Sequence, residues 1–402
     1  AILSDGTAEH FGPFGAGDKR PMASGRSGEL ASRLFAIGAR EREEIERQWP
    51  KVLRRVGGYN LDVFHPQSVR PYTADGSVNL AHLLVGSEGT LAYFRRLVLK
   101  LSRLPPAKVL GVVNFPSFHA AMDSAQHIVK LGPSAGELVD RTMIELSRAN
   151  PVFRPTIESA LVVRDGHGPE AILLVEFSGE DAAALVQRLA QLGELMGDLG
   201  LPGSVVELAD KARQKALWEV RKAGLNIMMS LRGDGKPVSF IEDCAVPLEH
   251  LAEYTGRLTE VFARHGTRGT WYAHASVGTL HVRPVLDMRT DGAAKMRAIA
   301  EEACALVREY KGAAFSGEHG DGLVRSEWIA PILGSRLTAA LGEIKDLLDP
   351  AGLFNPGKIV RPTRMDDRSL FRYGPAYRRK PIDTAYDWSA WGGLGGAVEM
   401  CN

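Results

Sequence analysis

Cysteine is scarce in this chain: three in 402 residues, at Cys244, Cys304 and Cys401. So few, so widely scattered, cannot frame a disulfide-stapled fold, and they fit a reducing, cytoplasmic setting. Net charge is equally thin, with 49 Lys and Arg against 48 Asp and Glu, a formal +1. No bulk field is present to draw in nucleic acid or an acidic membrane surface. No apolar run approaches the ~20 residues of a transmembrane segment, and no signal peptide opens the chain. Any attachment to the inner face of a membrane is therefore expected to be peripheral. A complete dinucleotide fingerprint is also missing. Gly15-Ala16-Gly17 lacks the third glycine, the preceding strand and the following helix, and Gly393-Leu394-Gly395-Gly396 fails in the same way. What is there is ordinary for one large or two medium globular domains: 45% hydrophobic and 24% charged residues.

The chemistry concentrates between Trp271 and Arg325. His274 and His281 lie seven residues apart, and Glu318 and His319 stand side by side in Ser316-Gly-Glu318-His319-Gly320-Asp321-Gly322. Two histidines and a carboxylate with open coordination positions are a recurrent way to hold a catalytic divalent metal, and a further histidine beside it is a natural base. On one unbroken strand a separation of seven would place the two histidines on opposite faces. Thr270, Trp271, Tyr272, Val277, Thr279 and Val282 favour strand, while Gly278 offers a turn or bulge that brings both rings to one side. The competing reading is a plain hairpin with two ordinary histidines and a Glu318 that caps something else.

Along the chain, residues 1–7 read as a strand entering a turn, and residues 27–54 as helical. Val56-Gly57-Gly58-Tyr59-Asn60 reads as a tight turn whose glycines let a flat ligand approach the backbone. Residues 81–85 read as a short apolar strand running into Gly86-Ser87-Glu88-Gly89-Thr90. After Pro105-Pro106 the rhythm becomes strand and helix in alternation. Strands are expected at 109–115, 160–163, 171–177, 205–208 and 238–241, with a turn at Asp165-Gly166-His167-Gly168. Helices are expected at 117–131, 181–199, 212–229, 248–264, 293–310 and 335–348. The pattern predicts an α+β layer, an antiparallel sheet with helices on one face. Residues 363–380 read as an extended linker.

The order His274-x6-His281, an intervening helix, Glu318-His319-Gly-x-Gly322 and Leu353-Phe354-Asn355-Pro356-Gly357-Lys358 resembles the C-terminal half of FAD-linked 2-hydroxyacid dehydrogenases. These belong to the vanillyl-alcohol oxidase superfamily and act on D-lactate, glycolate or D-2-hydroxyglutarate. Gly58-Tyr59-Asn60-Leu61 and Leu84-Val85-Gly86-Ser87-Glu88-Gly89-Thr90-Leu91 match in the same order. The resemblance implies the C-terminal part of a VAO/PCMH-type FAD-binding domain over residues 1–104. A ferredoxin-like α+β cap, the substrate domain, follows over 105–362, and 363–402 becomes a linker to an iron–sulfur domain. On this reading the chain looks cut from something longer, with Cys401 as the first residue of a cluster motif; one cysteine cannot hold an iron–sulfur cluster, which takes about four ligands.

By the same resemblance His274, His281 and Glu318 are the metal ligands, with zinc suited to the set, and His319 is the base. Flavin contacts fall to Gly58, Tyr59, Asn60, Gly86, Ser87, Glu88, Gly89, Thr90, Glu318 and Asn355, largely through main-chain groups. Arg221 matches an arginine that clamps a substrate carboxylate, and Lys236 a second basic position. The reaction implied is oxidation of a D-2-hydroxyacid to the 2-oxoacid, with hydride passed to FAD and electrons on to a quinone or another carrier. A homo-oligomer is compatible with all of this. The chain departs from the common pattern in two places. Ser276-Val277-Gly278-Thr279 stands where many members carry Asp-Gly-Asn, and Arg283 stands where an asparagine is familiar. Arg283 suits a second substrate carboxylate and so a 2-hydroxyglutarate-like acid, unless it pairs with Asp287. The rivals are a D-lactate or glycolate dehydrogenase of the same build, a metal-dependent hydrolase, and a flavin-free, non-catalytic subunit.

Overall fold

A computed structural model describes residues 1–14, 26–65, 73, 77–229, 231, 233–372, 374 and 376–399. Gly15-Ala16-Gly17 and Cys401 lie outside the described residues. The chain divides into two compact units, each described by itself.

The first unit gathers Ala1–Ser102, Asp243–Pro247 and Cys304–Met365. Its core forms where the helices Arg26–Arg40 and Ile329–Leu348 turn apolar residues inward at spacings of three and four. Leu34 and Ile37 come from one, Leu337, Leu341 and Ile344 from the other, and they enclose Tyr59, Leu61, Leu83 and Leu91. The helix expected over 27–54 is two, Arg26–Arg40 and Arg42–Gln48, and it stops ahead of Pro50, whose ring disfavours helix in the residue before it. Residues 81–85 are not a strand: Ala81–Leu84 is one helical turn, with the Ala81 amide held by the Asn79 side chain at 3.0 Å. At the start of the chain only Ile2 bridges, to Ala8 and Tyr93.

The second unit comprises Arg103–Glu242, Leu248–Ala303 and Asp366–Asn402. Its sheet contains β1 (Ala107–Phe115), β2 (Ala135–Asp140), β3 (Ala171–Gly179), β4 (Val205–Leu208), β5 (Lys236–Pro237), β6 (Gly269–His274) and β7 (Thr279–Leu286). They run in the order β4-β1-β3-β2-β6-β7-β5, every neighbouring pair antiparallel. Its helices include α1 (Phe118–Ile128), α2 (Arg141–Ala149), α3 (Arg154–Glu158), α4 (Ala182–Asp198), α5 (Lys211–Met229) and α6 (Leu251–Arg264), and the helix expected at 293–310 runs Gly292–Val307. Ser117, Asp140 and Asp181 cap α1, α2 and α4 by accepting backbone N–H bonds of 3.1, 2.8 and 2.8 Å.

The expectation of helices on one face is corrected. Leu110, Val112, Val139, Ile172 and Leu174 pack on one side against Met143, Ile144, Ile157 and Leu217 of α2, α3 and α5. On the other side a Cβ at Gly111 would stand 2.7–2.8 Å from Leu192 and Leu189 of α4, and Trp271 packs on Phe118 of α1 and Phe262 of α6. The near-continuous apolar runs of β1 and β3 follow from that double coverage, since neither face of those strands meets water. Two further differences are local. Residues 160–163 form no strand, although the Arg164–His167 bridge closes the expected turn around Asp165 and Gly166; nor do residues 238–241, the two-residue β5 ending just before them at Pro237. Within 105–362, residues 243–247 and 304–362 group with the first unit, where Ala245 and Ala314 exchange backbone bonds of 2.9 and 2.8 Å. Met365, just beyond them, is buried, its amide on Glu327.

Candidate active site

In the second unit the hairpin β6–β7 solves the spacing of seven. Ala275–Val277 form a short 3-10 turn and Gly278 adopts φ +69, a left-handed conformation that glycine takes at little cost. The register that results pairs Tyr272 with His281 and His274 with Thr279. Tyr272, His274 and His281 therefore share one face. The two imidazoles lie 4.7 Å apart, edge to face, and Tyr272 lies 4.9 Å from His281.

β2 then adds a residue that sequence reasoning missed. Its register sets Glu137 opposite His274, and the Glu137 Oε1 atom lies 2.6 Å from His274 Nδ1. The other oxygen accepts from Arg221 Nη2 at 2.8 Å, and the Arg221 guanidinium stands 4.6 Å above the Tyr272 ring. Burial pushes the Glu137 carboxyl up, but the bond from His274 and the charge of Arg221 outweigh it and hold the group below its ordinary range. Arg221 is thus anchored to a protein carboxylate, with its buried Nε lacking a partner.

Arg283 lies two residues beyond His281 on the same face. Asp287 accepts from the Arg289 amide at 3.0 Å, and among the described residues no carboxylate pairs with Arg283; its Nε is buried without a partner. Lys236 is not brought to this face. It pairs with Leu286, out of phase with His281 and Arg283 in the pleat; its Nζ donates to the Leu231 carbonyl, and burial lowers its pKa.

In the first unit the motif loops are stitched together by side chains bonding to backbone. Gly58 (φ +68) packs on Leu341 and donates its N–H to Asp321 at 2.7 Å. The Tyr59 hydroxyl lies 2.8 Å from Thr90 Oγ1, and Asn60 Nδ2 donates to the carbonyls of His82 and Val85. Glu88 accepts from the amides of Asp321 and Gly322 at 2.6 and 2.9 Å, while Asn355 Nδ2 donates to the Glu88 carbonyl at 2.8 Å. Lys345, buried beside Asp349, donates to the Thr90 carbonyl at 2.5 Å. The side chains of Tyr59, Asn60, Glu88 and Thr90 are therefore spent inside the protein. Gly86 and Gly89, both at positive φ, have no atom within 4 Å of where a Cβ would stand, and the buried Ser87 Oγ has no partner.

Asp243 is the second residue that sequence reasoning missed. It is buried, accepts from Ser316 Oγ at 2.6 Å, and holds the amides of Glu318 and His319 at 3.0 and 2.7 Å. Ligand atoms of Asp243, Glu318 and His319 lie within 4.8 Å of one another. Glu318 also pairs with Arg54 at 2.7 Å, and His319 Nε2 stands 3.8 Å from its carboxylate. Asp321 is pushed up to about 7, chiefly by burial and against the bond from Gly58.

A model of the FAD-linked oxidases, C-terminal domain, matches residues 104–359. The chain belongs to that family. It is 31% identical to the D-2-hydroxyglutarate dehydrogenase of Escherichia coli (strain K12), over 93% of this chain and 36% of that protein. The D-2-hydroxyglutarate dehydrogenase of Pseudomonas putida is also 31% identical, over 100% of this chain and 39% of that protein. A mitochondrial D-lactate dehydrogenase [cytochrome] of Arabidopsis thaliana is 28% identical, over 75% of this chain and 51% of that protein. This FAD-linked oxidase chain spans little more than a third of the length of the two D-2-hydroxyglutarate relatives. No helix among its described residues is long and apolar enough to cross a membrane.

Proposed function

We propose that the chain serves the oxidation of a D-2-hydroxyacid bearing a second carboxylate, 2-hydroxyglutarate-like, to its 2-oxoacid. Family membership and the D-2-hydroxyglutarate relatives support the reaction class. One observation carries the preference for a dicarboxylic acid over lactate or glycolate. Arg283 stands beside His281 on one sheet face with a buried Nε and no carboxylate partner among the described residues. A buried guanidinium donor without a partner is costly unless an anion completes it, and its planar fork matches a carboxylate.

The first unit offers a fit for flavin in the open main chain at Gly86 and Gly89 and in the unpartnered Ser87 hydroxyl. When bound, flavin supplies the hydride-accepting chemistry and a divalent metal the acidity of the substrate hydroxyl. By the family resemblance, His274 and His281 of the hairpin would be ligands of that metal. The Glu137 carboxylate at His274 Nδ1 is the kind of outer partner that orients a ligating imidazole. His319 takes the hydroxyl proton, its loop fixed by the amide bonds to Asp243. The C2 hydrogen would leave with its electron pair for the flavin as the C–O bond becomes a carbonyl, and a carrier such as a quinone would take those two electrons from the reduced flavin. Arg221, already held by Glu137, orients the carboxylate next to C2.

The test is Arg283→Ala, comparing kcat/KM for D-2-hydroxyglutarate and D-lactate. Loss of one charge-assisted contact is expected to cut the preference about 10–100-fold, with lactate turnover little changed. An unchanged ratio of the two would overturn the dicarboxylate reading.

A further inference from the structure

Glu137 joins the two second-unit residues that the reaction scheme uses, His274 and Arg221. It sits in mid-strand on β2 with 8% of its surface exposed, a burial that carboxylates reach almost only when paired. Its two oxygens are divided between two functional candidates, Oε1 on His274 Nδ1 at 2.6 Å and Oε2 on Arg221 Nη2 at 2.8 Å. We propose that Glu137 is a positioning residue that fixes the tautomer of His274 and the orientation of Arg221 together. Recognition of an anionic substrate and metal binding then depend on one carboxylate. This rests on the reading of His274 as a ligand and Arg221 as a substrate contact.

The physical case is one of donors and acceptors. An ionised carboxylate only accepts, so the hydrogen between Glu137 and His274 belongs to Nδ1, and in the neutral ring this is the tautomer whose lone pair is on Nε2. The same carboxylate holds one edge of Arg221 over the Tyr272 ring, while the buried Nε has no partner. A substrate carboxylate reaching that edge meets a guanidinium already oriented.

Glu137→Gln separates positioning from mere neutralisation of Arg221 at almost constant volume. The amide has one oxygen for two donors. Arg221 cannot accept, so it takes the oxygen, and the NH2 turns to His274 and donates to Nδ1. The ring proton is driven to Nε2. In metal-free protein, 15N chemical shifts of the histidine rings are expected to report the Nδ1–H tautomer for His274 in the wild type and Nε2–H in the variant. Zn2+ affinity, measured by competition with a chromophoric chelator, should fall about 10–100-fold, as it does when an outer carboxylate is lost. Glu137→Asp should recover part of it. An unchanged tautomer together with unchanged Zn2+ affinity in Glu137→Gln overturns the proposal. A wild type whose Zn2+ affinity is insensitive to His274→Ala overturns instead the ligand reading on which it stands.

Discussion

Asp140 is a single residue that joins two elements of the sheet. One oxygen caps α2 by accepting from Met143 N at 2.8 Å, and the other accepts from Trp271 N at 3.0 Å on β6. Burial pushes its carboxyl up from 3.8 to about 6, against the pull of both bonds. The sign of the consequence follows from linkage. Between about pH 4 and 6 the folded state keeps a proton that the unfolded state has released, so stability falls as pH rises through that window and levels off above it. At about 1.4 kcal/mol per pKa unit, the group costs roughly 3 kcal/mol by pH 7. Asp140→Asn keeps an oxygen for the cap but turns a donor toward Trp271, a cost that does not vary with pH. Urea midpoints for both proteins at pH 4, 5, 6 and 7 should show the gap moving steadily in favour of the variant up to about pH 6. Parallel curves would mean that Asp140 does not carry the raised pKa.

At the scale of elements, the hairpin β6–β7 depends on one backbone conformation. Gly278 at φ +69 lets a three-residue 3-10 turn close onto Thr279 and so puts His274 and His281 on the same face. Gly278→Ala imposes a left-handed conformation on an L-residue, at about 1–2 kcal/mol. A lower urea midpoint accompanied by weaker Zn2+ binding is expected; loss of stability with Zn2+ binding intact would show that the turn does not set the histidine geometry. This hairpin was legible in the sequence because β-branched and aromatic residues flank a lone glycine. The helix α4 was equally plain, because Leu185, Leu189, Leu192 and Met196 recur at spacings of three and four. Glu137 was not legible: it lies 137 residues from His274, and only strand register brings them together. Asp243 was hidden for another reason, since it binds main-chain amides of Glu318 and His319, which leave no trace in residue types. Residues 81–85 misled because a short, mostly apolar run looks the same in a strand and in a helical turn, and the deciding contact is the Asn79 side chain.

The molecule as a whole distributes its candidate chemistry over two units with separate cores. The glycine loops at 57–60 and 86–90 belong to the first, the hairpin of His274 and His281 to the second. If flavin and metal are held as proposed, each ligand should protect its own unit. A ligand at 100 times its Kd stabilises the bound form by about 2.7 kcal/mol, which slows exchange about 100-fold for amides that open only after release. Hydrogen exchange followed by mass spectrometry on the chain with FAD alone is expected to slow peptides covering 57–60 and 86–90. The central strands β1 and β3 should be unaffected. With Zn2+ alone, peptides covering 272–281 should slow. The amide of Gly58 is a sensitive reporter, because it is bonded to the buried Asp321, whose own amide is bonded to Glu88 in the other loop. Ordering of one loop should therefore appear in both. FAD that leaves both loops unprotected would remove the flavin assignment of Gly58, Gly86, Ser87 and Gly89. Zn2+ that leaves the hairpin unprotected would remove the metal assignment of His274 and His281 without touching the flavin one. The two readings can thus fail separately, because the residues that carry them sit on elements with no strand or helix in common.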